Sequence, residues 1–118
     1  MVRFISLPFL FRQNFKSHLI LFITADYRVP QVLVPAGILT YSAWLEDIIL
    51  RQETIPSGSE AEIEIRAGTI QAVERIHAEM VKQGCTLHVI ELDWLLWQMG
   101  EEQRTTLPPH HRTLTVFY

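Results

Sequence analysis

The sequence contains 118 residues, of which 48% are hydrophobic and 19% are charged, so it is long enough for one domain with a single core and too apolar for intrinsic disorder. Its formal net charge is −3 and its ten lysine and arginine residues are scattered, which argues against binding to a nucleic-acid backbone. The lone cysteine, Cys85, excludes a disulfide framework and a thiolate metal cage, and it fits a reducing intracellular compartment.

The N-terminal region is basic, because residues 1–25 contain Arg3, Arg12 and Lys16 but no acidic residue. This composition leaves an organellar targeting signal open, although a cytoplasmic location is the expectation. The apolar runs 4–11 and 19–23 are separated by polar residues, so neither is long enough to span a membrane. We interpret the first run as a short apolar helix that packs on a larger body, and the second as the end of a helix.

The first well-marked helix is expected to begin at Pro30, because a proline at the first helical position loses no hydrogen bond. Asp26 then lies in the junction just ahead of this helix. Pro35 predicts that the helix is kinked or short, and Gly37 is a natural end for it.

Two further helices have clear capping signals. Ser42 is the expected N-cap of a helix that runs to about Arg51, and the spacing of Ser59 and Glu62 is typical of a capping box. The capping box opens the longest helix, which should end near Gln83. Its predicted core stripe has three- and four-residue spacing and consists of Ile63, Ala67, Ile70, Val73, Ile76 and Met80.

The last predicted helix, about 87–99, is apolar over most of its circumference, which predicts that it is buried. Asp93 lies about 200° around this helix from Glu91, away from its narrow polar stripe. Burying an unpaired carboxylate lowers stability by roughly several kcal/mol, so Asp93 needs a partner or a ligand. The sequence leaves two alternatives, an ion pair with Arg28 or Arg66, and a ligand site.

Asp26 is the second candidate functional carboxylate, because the positive end of a helix dipole favours an ionised acid nearby. An ordinary acid at a helix start is the simpler alternative. Tyr27 and Arg28 follow at once and offer a hydroxyl group and a bidentate cation for a phosphate or a carboxylate. Arg66 has a helical neighbour of opposite charge in Glu62.

The remaining candidate residues do not indicate a cofactor site. The five histidines lack the spacing of a zinc site, and no glycine-rich loop is present to hold a dinucleotide or triphosphate, so we expect neither a metal nor an organic cofactor. Trp94 and Trp97 are expected in the core rather than as a platform for a base. His110 and His111, after a pair of prolines, are expected to be solvated.

Several uncommon strings occur in a fixed order, and together they resemble the queuosine salvage family, the queuosine 5′-phosphate N-glycosylases that free the base queuine from its nucleotide. The resemblance runs from about residue 22 to 118 and corresponds to the C-terminal part of the family, so residues 1–21 are a divergent segment. The strings are ADYRVPQVL (25–33), GIL (37–39), EIEIRAGTIQAVE (62–74), LDWLLW (92–97) and PHHR (109–112).

The resemblance implies an all-α fold, the C-terminal portion of a helical fold similar to DNA glycosylases. It also implies that Asp26 is the catalytic carboxylate and that Asp93 lines the pocket for the 7-deazaguanine base. Tyr27 and Arg28 are then expected substrate contacts. The pocket is supported, in this interpretation, by Arg66 and Trp97.

The implied partner is a small nucleotide, queuosine 5′-phosphate, with no direct nucleic-acid or membrane partner; the oligomeric state stays open. A lysine that works beside the acid in the family lies in the part that this chain does not match, and Lys16 does not fit its motif. The chain is therefore expected to be a fragment or a truncated gene model. Two alternatives remain: a non-catalytic helical fragment that self-associates or pairs with a missing N-terminal half, and a small nucleic-acid-binding module, which the acidic balance disfavours.

Overall fold

The structure, a computed structural model, describes the backbone of residues 2–4 and all of residues 26–114, and within these ranges the fold is mainly helical, as predicted. The similarity to DNA glycosylases stays a prediction, and the expected helices within residues 5–25 lie outside the described residues. No helix in the described ranges is both long and apolar enough to cross a membrane. The elements are β1 (Val2–Phe4), α1 (Arg28–Leu33), β2 (Leu39–Tyr41), α2 (Ala43–Leu50), α3 (Glu60–Lys82) and α4 (Val89–Glu102).

A two-stranded antiparallel sheet was not predicted. β1 pairs with β2 so that Val2 lies opposite Tyr41 and Phe4 lies opposite Leu39. Phe4, the first residue of the run that was interpreted as a helix, is thus in a strand. Strands of three residues are too short to show an alternating pattern, which explains why the sequence did not reveal them.

α1 is short, as Pro35 predicted, but its expected start at Pro30 is wrong because the helix begins at Arg28. The Asp26 carboxylate accepts a hydrogen bond of 2.8 Å from the backbone N–H of Arg28, which supports an earlier first turn. Pro30 still lies within that turn, where helical N–H groups have no partner in the helix. The chain reverses after α1 at Gly37, whose φ of 77° favours glycine.

The two predicted caps are confirmed. Ser42 Oγ accepts a hydrogen bond from the Leu45 N–H, and Ser59 Oγ accepts one from the Glu62 N–H, each at 3.3 Å. The Glu62 carboxylate accepts a longer bond, 3.4 Å, from the N–H of Gly58. α3 therefore begins where its sequence signature placed it.

The core has two parts, and α3 contributes to both. Its first turns pack with α2 through Ala61 and Ile65, whereas its later turns pack with α1 and α4 through Ala72 and Val73. Since these neighbours lie on different sides, the buried face turns along α3. The predicted stripe is correct for its last four members, but wrong for its first two, Ile63 and Ala67, which are exposed.

α4 is buried on one face only, contrary to the prediction. Leu92 and Leu96 enter the core, and four apolar side chains outside this face are between 43% and 55% exposed within the described structure. These exposed residues are Ile90, Trp94, Leu95 and Met99.

α1 and α4 approach each other closely at Gly100. A Cβ atom at this position would lie 3.2 Å from Val32 Cγ2 and 3.4 Å from Arg28 Cβ, so a larger side chain has no room. The absence of a side chain at Gly100 therefore allows the short distance between α1 and α4.

Replacing Gly100 by leucine should lower the free energy of unfolding by about 1–3 kcal/mol, because the added atoms must push α1 away from α4. Urea denaturation followed by circular dichroism measures this change. Glu102→Leu, at an exposed position on the same helix, is the matched control and should change stability by less than about 0.5 kcal/mol. Equal midpoints for the two variants would show that the close approach does not constrain the fold.

Candidate functional site

Two carboxyl groups from different elements form the centre of the candidate site. Asp26 lies in the junction ahead of α1 and is half-buried, and Asp93 lies on the buried side of α4 and is 6% exposed. Asp26 is held by the N–H of Arg28 at 2.8 Å. Asp93 Oδ1 is buried and has no hydrogen-bond partner among the described residues. The unusual position of Asp93, predicted from the helical spacing, is confirmed.

The charge of Asp26 acts on the buried carboxyl group of Asp93. Burial raises the pKa of Asp93 to about 7, and the negative charge of Asp26 contributes to the same increase. Repulsion of this kind requires the groups to be near neighbours. Asp93 can therefore exist in either protonation state near neutral pH, which suits it to exchange a proton when a polar ligand binds.

The two arginines that were considered as ion-pair partners of Asp93 pair with other acids. Arg28 Nε lies 2.7 Å from Glu101 Oε1, and Arg66 Nη1 lies 3.5 Å from Glu62 Oε1. The pair of Arg66 with Glu62 is the one that helical spacing predicted. Asp93 is thus buried without either of these cations, and the ligand-site alternative gains support.

The Arg28 side chain is only 13% exposed and joins three parts of the chain. Besides Glu101 on α4, it contacts Gln31, whose Oε1 accepts a hydrogen bond of 2.8 Å from Nη1. Gln31 Nε2 in turn donates to the carbonyl oxygen of Pro108 at 2.8 Å. Two of the guanidinium nitrogens expected to contact substrate are therefore engaged within the protein, whereas the backbone of Arg28 orients Asp26.

Tyr27 packs against the segment that follows the two prolines. Its ring centroid lies 4.1 Å from that of His110 and 5.1 Å from Arg28 Cζ. The predicted solvated histidine pair is wrong, because His110 is half-buried and His111 is 3% exposed. Burial and, to a smaller extent, the neighbouring His110 lower the pKa of His111 to about 4. Both histidines belong to the PHHR string that contributes to the family resemblance.

The two tryptophans of α4 form a stacked pair rather than a core contact. Their ring centroids are 5.3 Å apart and the planes differ by 14°, but Trp94 is 55% exposed and Trp97 is half-buried. The prediction of core positions is thus wrong for Trp94. Trp97 lies one helical turn after Asp93, and its supporting role stays a prediction.

Within the described ranges, no group of three or more His, Cys, Asp or Glu side chains is placed to bind a metal ion.

Comparison with known proteins identifies related sequences for most of the chain. Residues 13–118 match the family described as "Queuosine salvage protein". A Dictyostelium discoideum protein named queuosine 5′-phosphate N-glycosylase/hydrolase is 49% identical over 94 residues, and a Sphaerobacter thermophilus protein of the same name is 47% identical over 94 residues. A Mus musculus protein, also of that name, is 36% identical over 103 residues. These matches cover 80% of this chain but only 29%, 29% and 30% of the respective relatives.

The raised pKa of Asp93 predicts a stability that depends on pH. Because the folded-state pKa is about 7 and the ordinary value is 3.8, the folded protein holds this proton more tightly than the unfolded chain does. The loss of folding stability that comes from ionising buried Asp93 is absent below about pH 4, grows as the pH rises toward 7, and then stays constant. Asp93→Asn removes the ionisable group, so the variant should gain more stability relative to the original protein at pH 8 than at pH 5.

Urea denaturation at the two pH values measures this difference. Asp47→Asn, on the exposed surface of α2, is the matched control and should shift the two midpoints by similar amounts. An Asp93→Asn effect that is equal at pH 5 and pH 8 would contradict the proposed titration of Asp93.

Proposed function

The chain belongs to the queuosine salvage protein family, and we propose that it forms part of an N-glycosylase that releases the base queuine from queuosine 5′-phosphate. The observation that carries the proposal is the pair of neighbouring carboxyl groups, one at a helix start and one buried without a hydrogen-bond partner for Oδ1 among the described residues. The chain spans about 30% of the length of the relatives, and we therefore propose the activity for the complete enzyme of which this chain forms a part.

Asp26 is the proposed catalytic carboxylate. Breaking the glycosidic bond places positive charge on the ribose ring, and a carboxylate on the open face of the sugar can stabilise that charge and orient a water molecule. The bond between C1′ and the glycosidic nitrogen breaks, and its electron pair leaves with the base. The water oxygen bonds to C1′; one of its protons stays on the new C1′ hydroxyl group, and the other is transferred to the departing base. The hydrogen bond from Arg28 supports this role because it fixes the direction of the Asp26 carboxylate.

Asp93 is the proposed base-recognition group. The base is a 7-deazaguanine, whose edge carries adjacent N–H donors, and an ionised carboxylate accepts two such donors side by side. The buried and unpartnered Oδ1 supports this role, because a ligand that donates to it compensates the cost of burial. Hydrogen bonds to the ionised form favour loss of the Asp93 proton when the base binds.

The remaining candidate residues are proposed to orient the two carboxyl groups, contact the substrate or support the pocket. Arg28 joins α1 to Glu101 on α4 and so holds Asp26 and Asp93 in a constant relation, which is how catalytic groups are made ready for reaction. Tyr27 is proposed to contact the sugar or phosphate, and Arg66 and Trp97 to support the pocket wall. The proposed substrate is a free nucleotide in the cytoplasm, with no cofactor and no direct nucleic-acid or membrane partner.

One observation favours a second candidate function. Four large apolar side chains of α4 are exposed in the described structure, in two pairs on either side of Glu91 and Gln98. The pairs are Ile90 with Trp94, and Leu95 with Met99. Such a surface fits a non-catalytic fragment that self-associates or pairs with another chain. Size that increases with concentration in sedimentation velocity, together with no binding of queuosine 5′-phosphate, would favour this second candidate.

Asp26→Asn should reduce queuine release from queuosine 5′-phosphate by about 100-fold or more, because the neutral amide cannot stabilise the positive sugar. Chromatography of the released base measures the rate, and calorimetry measures nucleotide binding, which should stay within a few-fold of the original value. Asp47→Asn, an exposed acid outside the site, is the matched control. Near-normal turnover by Asp26→Asn would remove Asp26 from the catalytic role.

Asp93→Ala should weaken binding of queuosine 5′-phosphate by about 10-fold or more while leaving that of adenosine 5′-phosphate nearly unchanged, because adenine lacks the adjacent donors that Asp93 accepts. Calorimetric titration with each nucleotide gives the two affinities. Equal preference for the two nucleotides before and after the substitution would show that Asp93 does not recognise the base.

A further inference from the structure

Gln31 is a polar residue buried within a short and mainly apolar helix. Its side chain is 7% exposed, and its neighbours in α1, Pro30 and Val32, are also buried. Burying an amide group lowers stability unless its donors and acceptors are hydrogen-bonded, whereas an apolar side chain of similar size avoids that loss. A glutamine at this position is therefore favoured only if its amide group makes specific contacts.

The amide group of Gln31 bonds to two separate parts of the chain. Its Oε1 accepts a hydrogen bond of 2.8 Å from Arg28 Nη1, and its Nε2 donates one of 2.8 Å to the carbonyl oxygen of Pro108. A guanidinium group can only donate and a carbonyl oxygen can only accept, so one orientation of the amide satisfies both partners. Neither an apolar side chain nor an ionised glutamate could make both bonds.

The first of these bonds leads to Asp26 through Arg28. The Arg28 side chain is fixed between Gln31 and Glu101, whose Oε1 lies 2.7 Å from Arg28 Nε. The backbone N–H of Arg28 donates to the Asp26 carboxylate at 2.8 Å. Because α1 has only six residues, few hydrogen bonds within the helix hold its first turn. The side-chain contacts of Arg28 therefore help to hold the backbone group that orients Asp26.

The second bond crosses a place where apolar packing is incomplete. A cavity of about 60 Å³ lies between α1, α2 and the C-terminal segment 108–111. Its lining includes Val34, Ile49 and Pro109 as well as Gln31. Atoms that face a void lose the attractive contacts that a close-packed neighbour would supply. The hydrogen bond from Gln31 to Pro108 is therefore important for holding the segment against α1 at this place.

We propose that Gln31 is a positioning residue for the reaction, because it joins the C-terminal segment to the turn that directs the Asp26 carboxylate. This inference rests on the proposed function, in which Asp26 is the catalytic residue. Gln31 acts through Arg28 and needs no contact with the substrate. A displacement of about 1 Å at a reacting group can slow a reaction about 100-fold, so a contact outside the site can control the rate.

Amide hydrogen exchange followed by NMR tests this link without requiring turnover. Gln31→Met keeps the side-chain length and removes both bonds, so exchange at the Arg28 N–H should become at least about 10-fold faster. The Ile55 N–H donates to the Arg112 carbonyl oxygen at 2.7 Å, and it should also exchange faster because the C-terminal segment loses a tie to α1. Exchange at Val73, in the core part of α3, should stay within about 2-fold of its original rate.

Two further variants identify the bonds responsible. Gln31→Glu keeps the acceptor for Arg28 and loses the donor to Pro108, so it should accelerate exchange at Ile55 more than at Arg28. Gln83→Met, at an exposed position at the end of α3, is the matched control and should change neither rate. Unchanged exchange at Arg28 in Gln31→Met would overturn the positioning role. Equal acceleration at Val73 would overturn it as well, because it would show a general loss of stability.

Kinetic measurements connect this link to catalysis. Gln31→Met should lower kcat for queuine release about 10-fold and change KM by less than about 3-fold. In an Asp26→Asn background the same substitution should lower kcat by less than about 2-fold, because two residues that act through one group are not additive. Faster exchange at Arg28, in a protein that releases no queuine, would support the link and count against the reaction. Queuine release that Gln31→Met leaves unchanged would overturn the positioning role and leave the reaction standing.

Discussion

The arrangement of the site depends on the ion pair between Arg28 and Glu101, which lies at the contact between α1 and α4. The same guanidinium group bonds to Gln31, and Gln31 bonds to the carbonyl group of Pro108, so one network joins a helix start, a helix end and the C-terminal segment. A partly buried ion pair gains little net stability, because desolvation offsets most of its attraction. Its directional bonds instead select one relative position of the helices, and the lack of a side chain at Gly100 allows them to approach closely.

This constraint brings together two acidic groups that would otherwise separate. Burial and the charge of Asp26 both oppose ionisation of Asp93, so the folded chain tolerates an unfavourable arrangement that a structural role does not require. Hydrophobic replacement or an arginine partner would remove the cost. Functional groups are often held in such arrangements, and the stability they cost is supplied by the surrounding core. Here that core is formed by Leu92 and Leu96 on the same helix and by the side chains of α1 and α3.

The sequence revealed those features that depend on a few neighbouring residues. The caps at Ser42 and Ser59, the short α1 and the buried position of Asp93 follow from local hydrogen bonding and helical spacing. Features set by distant contacts were missed: the buried face of α3 turns because α2 and α4 pack on different sides, and His111 is buried by the pairing of its segment with residues 54–55. The exposure of Trp94 also escaped prediction, because an apolar residue indicates burial without indicating which partner covers it. The assignments of Asp26, Tyr27 and Arg28 came from the family resemblance, since nothing in their local pattern distinguishes them from an ordinary helix start.

The proposed catalytic residue lies where three parts of the chain meet. Asp26 and Tyr27 are consecutive residues at the start of α1, and the ring of Tyr27 contacts that of His110 in the C-terminal segment. Gln31 joins α1 to the same segment through the carbonyl oxygen of Pro108. A shift of the C-terminal segment would therefore move α1 and, with it, the carboxylate of Asp26. Directional polar contacts of this kind hold a reactive group in place more tightly than apolar packing alone, because they depend on angle as well as distance.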